Sequence, residues 1–181
     1  RIGLILTGVL LFAAFIGPLL PVQNPNLIDT TATFLGPSWE HLLGTDDLGR
    51  DLLARLLYGS RTSLGIAAGA VGIALLVGHV MGMAAGFMGG AVDLVIGRVT
   101  DMFFAIPSLL IAIGIIAILG SSPVNTALAI GVGMAPLFVR IVRSAVVQAK
   151  AQDFVAHAKA LGLPWWRILL KEIWPTIMPT V

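Results

Sequence analysis

The run TSLGIAAGAVGIALLVGHVMGMAAGF, residues 62–87, decides the fold class. It carries no Asp, Glu, Lys or Arg, and a helix needs only about 20 mostly apolar residues to cross a hydrocarbon core of roughly 30 Å. Three further stretches read the same way: residues 2–20, ended by Pro18 and Pro21, residues 102–119, and residues 124–142. The first is followed by more spans and by no small-residue cleavage site, so it reads as a span rather than a secretory leader. Gly120-Ser121-Ser122-Pro123 separates the last two as a tight turn.

Composition agrees. Hydrophobic residues make up 57% of the 181 and charged residues 11%, against about 45–50% and about 25% in soluble domains. Mean hydropathy is +0.98. Cysteine is absent, which excludes disulfides, thiolate metal sites and a cysteine nucleophile. The net charge of +2 is too small and too dispersed for a nucleic-acid face. The expectation is an all-α, polytopic transmembrane bundle forming one membrane domain over residues 1–181.

Charge placement orients it. With the N-terminus in the cytoplasm, Arg1, Arg98, Arg140, Arg143, Lys150, Lys159, Arg167 and Lys171 fall inside, and only Arg50, Arg55 and Arg61 outside. Basic residues favour the cytoplasmic side, so the N-terminus is placed there. Residues 21–61 become an external loop. Pro, Asn and Thr dominate 21–38, where no core is expected. Asp47 or Thr45 is expected to cap a short surface helix, 48–58, with Leu48, Leu52, Leu53, Leu56 and Leu57 on one stripe. Arg50, Asp51 and Arg55 then face away, with Asp51 and Arg55 an i,i+4 pair.

Within the spans, Gly65 and Gly69, and Gly78, Gly82 and Gly86, recur at four-residue spacing. Small residues so placed let helices approach closely, within one bundle, on a face that slides against a partner, or both. His79 is the one ionisable side chain well inside a span. It is read either as a structural histidine bonded to a carbonyl or as a contact for substrate or proton. Asp93 and Asp101 flank Arg98 around a cytoplasmic turn, 88–101, where Gly89-Gly90 supplies flexibility and the aspartates anchor. Pro107 and Pro136 fall inside the third and fourth spans, where each removes a backbone donor and bends its helix. His79, Pro107 and Pro136 are the candidate pathway residues.

Residues 150–175 differ in kind. Lys150–Leu161 reads as a helix with Phe154, Val155, Ala158 and Leu161 on one side. Gly162 suits a left-handed C-cap, and Pro164 the first position of a second helix reaching Trp174. Trp165, Trp166 and Trp174 suit an interface. A helix–Gly–helix elbow of this type is a docking device.

Phe154-Val155-Ala156-His157-Ala158-Lys159-Ala160-Leu161-Gly162, followed by Ile173-Trp174-Pro175 and Pro179, resembles the cytoplasmic Glu-Ala-Ala…Gly loop of ABC importer permeases. Leu43–Leu53, Tyr58–Leu64, Gly86–Gly90, Asp93, Arg98, Asp101 and Ala105–Leu110 narrow the resemblance to the dipeptide/oligopeptide/nickel permeases, over essentially the whole chain. It implies a binding-protein-dependent ABC importer subunit in the bacterial inner membrane. Its partners would be a second homologous permease, two cytoplasmic ATPase subunits and an external substrate-binding protein, within membrane lipid and without nucleic acid. On that basis Phe154, Val155, Ala156, His157, Ala158, Gly162, Arg167 and Pro175 form the ATPase-coupling loop. The sequence has no G-x-x-x-x-G-K-[ST] phosphate loop. ATP and Mg are therefore expected on the partner ATPase, with no cofactor on this chain and no enzymatic activity of its own.

Two positions depart from the family pattern: Ala156 stands where the motif has Glu, and His157 where it has its first Ala. Leu163-Pro164 also replaces the usual polar residues after the glycine. The family has six spans, of which about four are present, so the chain reads as a fragment. The substrate is a peptide or nickel. The lack of a His/Asp/Glu cluster with metal-ligand spacing leans toward peptide. Two other classes fit the sequence less well. An intramembrane hydrolase needs a nucleophile–base pair, but no Gly-x-Ser-x-Gly elbow occurs, and an Asp93–Asp101 dyad is disfavoured by Arg98 between them. A non-transporting scaffold would leave ATP hydrolysis unstimulated.

Overall fold

A computed structural model describes residues 2–17 and 24–180. All of the regular structure described is helical. The chain divides into two compact units, Arg1–Ala67 and Ala68–Val181.

In the first unit, α1 covers Ile2–Ile16. Arg1 and the expected end of this span at Pro18 and Pro21 lie outside the described residues. Gly17 lies against the side chain of Leu57, in the opening turns of α2 (Leu52–Met88). No separate surface helix forms over 48–58. The helix begins at Leu52 and runs without interruption into the second span, for about 55 Å at 1.5 Å per residue. Ser60 and Thr62 do not break it, because their hydroxyls donate back to the Leu56 and Tyr58 carbonyls at 2.5 and 3.2 Å. Nor does Asp47 or Thr45 cap it. Asp51 does, its Oδ1 accepting the Ala54 N–H at 2.7 Å.

That cap explains why the Asp51–Arg55 pair is not made. Asp51 is buried, its Oδ2 3.0 Å from Nδ1 of the equally buried His41. Arg55 instead joins Arg50 on Asp46. Residues 24–51 thus form an ordered, hydrogen-bonded loop, contrary to the expectation that 21–38 would lack any buried centre. Thr45 is its hub: its hydroxyl donates to the Ala32 carbonyl and accepts the Leu35 N–H at 2.8 Å. Burial alone would raise the Asp46 carboxyl. The N–H groups of Arg50 and Leu48 and the two guanidinium groups overcome it and hold that carboxyl far below the usual carboxylate range.

In the second unit, the later turns of α2 pack on α5 (Pro123–Lys150). Gly78, Gly82 and Gly86 face Phe138, Val142 and Val146, and Gly69 faces Ala127. Of the two readings of the glycine face, close packing within the bundle is the one seen at these positions. Gly72 faces open space.

The expected turn at 88–101 is a helix, α3 (Gly90–Phe104), joined to α2 through Gly89 alone. Gly89 takes φ 67°, ψ −158°, a region essentially closed to residues with a Cβ. The expected third span is broken. Pro107 has no N–H and forces Ile106 out of helical geometry. The chain therefore leaves α3 at Ala105 and re-enters a helix at Ser108, α4 (Ser108–Leu119), bent by 88°. Pro107 therefore caps α4 rather than kinking a continuous span. α4 and α5 form a hairpin in which Ser122 Oγ accepts the Asn125 N–H at 3.1 Å. The Asn125 amide returns to the Leu119 and Gly120 carbonyls at 2.8 and 3.0 Å. By length and apolarity α2 and α5 can each cross a bilayer, and α3 with α4 only as a bent pair. α1 is shorter and apolar.

Candidate functional site

α5 does not stop at the expected end of the fourth span but continues to Lys150. After a turn at Ala151-Gln152, α6 (Asp153–Ala160) begins. Leu161 is the C-cap of α6, and Gly162 turns with φ +74°. The Gly162 N–H donates to the Lys159 carbonyl at 2.9 Å and the Leu163 N–H to the Ala158 carbonyl at 3.1 Å. This is the paired left-handed C-cap. It agrees with the expectation for Gly162.

The returning arm starts as α7 (Trp165–Arg167), widens into a π-helical turn over Ile168–Ile173 and continues as α8 (Trp174–Ile177). Pro164 precedes this arm as its N-cap rather than as its first residue. The cause of the π turn is Pro175, which lacks a donor and whose ring crowds the carbonyl four residues back. Trp174 donates to the Leu169 carbonyl, five residues back. The extra residue also puts Ile168 and Ile173 on one face at a spacing of five. Both are buried with Ile177 against Val142, Val146 and Ala149 of α5 and Val155 and Ala158 of α6. The elbow thus shares one core with the end of α5.

The expected coupling residues separate into two sets. Val155 and Ala158 are interior, and Phe154 packs beside them, so these three hold the elbow together. Ala156, His157, Gly162, Arg167 and Pro175 are exposed. Leu161, expected on one side of the helix with Phe154, Val155 and Ala158, is 80% exposed, because the helix has ended and the cap turns it outward. Trp165 and Trp166 are also exposed. The outward knob at Leu161 was not apparent from helical spacing, and the signal for it is the adjacent glycine.

A second contact ties the elbow to the bundle. Lys150 Nζ donates to the Phe87 carbonyl at 2.5 Å and lies 5.5 Å from the centre of the Phe87 ring. Trp165 lies obliquely to the Phe87 ring, the two ring centroids 6.3 Å apart. An open groove lined by Phe87, Met88 and Trp165 results.

The candidate pathway residues do not converge with the elbow. His79 Nδ1 bonds to the Leu75 carbonyl at 2.8 Å. Its Nε2 is shielded and has no partner among the described residues. Pro136 is buried within α5 and Pro107 lies at the α3–α4 break. Asp93 and Asp101 do anchor, but across to α5 rather than to Arg98. Asp93 takes Nε and Nη2 of Arg143, and Asp101 accepts Arg140 Nη2 at 3.1 Å. Among the described residues no cluster of His, Asp or Glu could hold a metal ion.

Long apolar helices, a bent half-helix pair and a folded elbow packed on the end of one helix together fit a multi-pass helical membrane protein. The chain belongs to the binding-protein-dependent transport system inner membrane component family, whose profile matches residues 74–181. It is 38% identical over 180 residues to the dipeptide transport system permease protein DppC of Alkalihalophilus pseudofirmus, covering 99% of this chain and 59% of that protein. It is 34% identical over 173 residues to the glutathione transport system permease protein GsiD of Pectobacterium atrosepticum, with coverages of 96% and 58%. To the nickel transport system permease protein NikC of Escherichia coli it is 31% identical over 181 residues, 100% of this chain and 65% of that one. The chain spans about three fifths of the length of these curated relatives. The family is a transport component of the inner membrane, not an enzyme.

Proposed function

We propose that this chain is part of a permease subunit that forms half of a substrate pathway in a binding-protein-dependent ABC importer. Its N-terminus is cytoplasmic, as the distribution of its basic residues favours. Its partners are a second permease, two cytoplasmic ATPase subunits that hold ATP and Mg, and an external binding protein. Peptide is the favoured substrate class and nickel the alternative, both drawn from the names of relatives.

The observation that carries the reading is the elbow: a short helix whose outer face, Ala156, His157 and Leu161, is exposed while its inner face is fused to α5. A partner pressing on that outer face moves α5 directly, and through Lys150 and Phe87 it moves the last turn of α2. The Glu missing at Ala156 places the weight of docking on shape and on Leu161. His79, Pro107 and Pro136 serve the pathway in this reading, His79 through its unpartnered Nε2.

The test is ATP hydrolysis by the complete transporter in lipid nanodiscs, with and without binding protein and peptide. Leu161→Asp is expected to abolish stimulation and to reduce co-purification of the ATPase. Unchanged stimulation and full ATPase recovery in Leu161→Asp would refute the docking role.

A further inference from the structure

A charged cavity of about 370 Å³ lies between α3 and α5, lined by Asp93, Arg98, Asp101, Arg140 and Arg143 over a floor that includes Val139. It holds three guanidinium groups and two carboxylates, an excess of one positive charge. Both carboxylates are taken by Arg143 and Arg140, whereas Arg98 is exposed and has no ion pair or side-chain hydrogen bond among the described residues. A guanidinium has five N–H donors. Arg140 and Arg143 spend one and two of theirs on the aspartates, which leaves donors free beside those of Arg98.

The second feature is what adjoins this cavity. An apolar pocket of about 100 Å³, lined by Val77, Val99, Phe103, Val132 and Pro136 among others, shares Thr100 and Val139 with it. Pro136 cannot donate to the Val132 carbonyl. A donor-rich, net-positive cavity therefore adjoins an apolar slot across Thr100 and Val139. The charged end also sits where helices terminate: Asp93 is in the first turn of α3, and Arg143 is two turns from the end of α5.

A simple inorganic anion would use the charged cavity and leave the slot empty. A zwitterionic peptide would need a free carboxylate for its ammonium group, and both are taken. We infer that this composite groove binds an anionic phospholipid, its phosphate on Arg98 and the spare donors of Arg140 and Arg143, and the start of an acyl chain in the apolar slot. Arginine suits this role because its planar fork matches phosphate oxygens.

The inference is tested on the complete permease in non-ionic detergent by native mass spectrometry. The titrants are dioctanoyl phosphatidylglycerol, dioctanoyl phosphatidylcholine, glycerophosphate and a dipeptide. The expected result is one saturable phosphatidylglycerol, with phosphatidylcholine and glycerophosphate each binding far more weakly. Arg98→Gln, at an exposed side chain, should weaken phosphatidylglycerol roughly tenfold, the loss expected for one charge-assisted hydrogen bond. Val99→Phe, which fills the slot, should weaken the lipid but not glycerophosphate. The inference is overturned if both lipids bind alike, or if Arg98→Gln changes nothing. It is also overturned if glycerophosphate binds as tightly as the lipid, which makes it a free-phosphate site, or if dipeptide displaces the lipid, which makes it a substrate site.

Discussion

The contact between α2 and α5 makes a quantitative prediction through two glycines on one helix. A Cβ added at Gly82 would sit 2.7 Å from Val142 Cβ and 2.8 Å from the Val139 carbonyl oxygen. Carbon atoms prefer about 3.5–4.0 Å, so the two helices must part by the better part of an ångström, and one of the obstructing atoms is backbone. Overpacking of this kind costs about 1–3 kcal/mol. At Gly72 an added Cβ meets nothing within 4 Å. Both Gly→Ala changes bring the same gain in helix propensity, about 1 kcal/mol, so the difference between the two variants isolates the packing term. For a protein of this size about 1–3 kcal/mol corresponds to a Tm gap of roughly 2–12 °C, with Gly82→Ala the lower. Scanning fluorimetry of the complete permease in one detergent, wild type beside each variant, measures it. Equal shifts in Gly82→Ala and Gly72→Ala would refute the close approach, and with it the view that this glycine face is an internal seam.

Two further outcomes concern the loop and one the elbow. Asp51→Ala removes the α2 cap, about 1 kcal/mol, and leaves buried His41 without its partner, about 1–3 kcal/mol more; hydrogen exchange at residues 52–55 should accelerate accordingly. Asp46 has its carboxyl pKa lowered from 3.8 in the folded loop, so its stabilising effect is fully present above that ordinary value and is lost only as pH falls through the folded one. Limited proteolysis of residues 24–51 should therefore be unchanged from neutral pH down to about pH 4, whereas Asp46→Ala should be cut readily at neutral pH. Gly162→Ala places a Cβ at φ +74°, a cost of roughly 1–2 kcal/mol; peptide-stimulated ATP hydrolysis should fall while the bundle's Tm barely moves.

Hydropathy alone made the helical membrane fold legible, because lipid admits little else that is built from apolar runs this long. The family was legible in the loop and elbow motifs. What escaped were the places where one side chain chooses among several partners. Asp51 had a surface pair with Arg55 available and took a buried histidine and a helix cap instead. Pro107 read as a kink, but the residue before it was also excluded from helical geometry, and the span broke. Helical spacing grouped Leu161 with Phe154, Val155 and Ala158 and missed the relation between Ile168 and Ile173, since a period of 3.6 holds neither past a cap nor through a π turn. The segment expected to carry coupling divides into residues that hold the elbow and residues that face outward. Only packing reveals that division.

The junction of α2 and α3 has a consequence for the gene. With Gly89 the lone residue between two helices, and a backbone shape there open to almost nothing else, no slack exists for length variation. A single inserted codon would turn α3 by about 100° relative to α2, carrying Asp93 and Asp101 away from their arginines. In an insertion library this junction should be a desert, bounded on both sides, while exposed turns of the 24–51 loop tolerate added residues. Length at this one site is under as strict a constraint as the identity of any side chain.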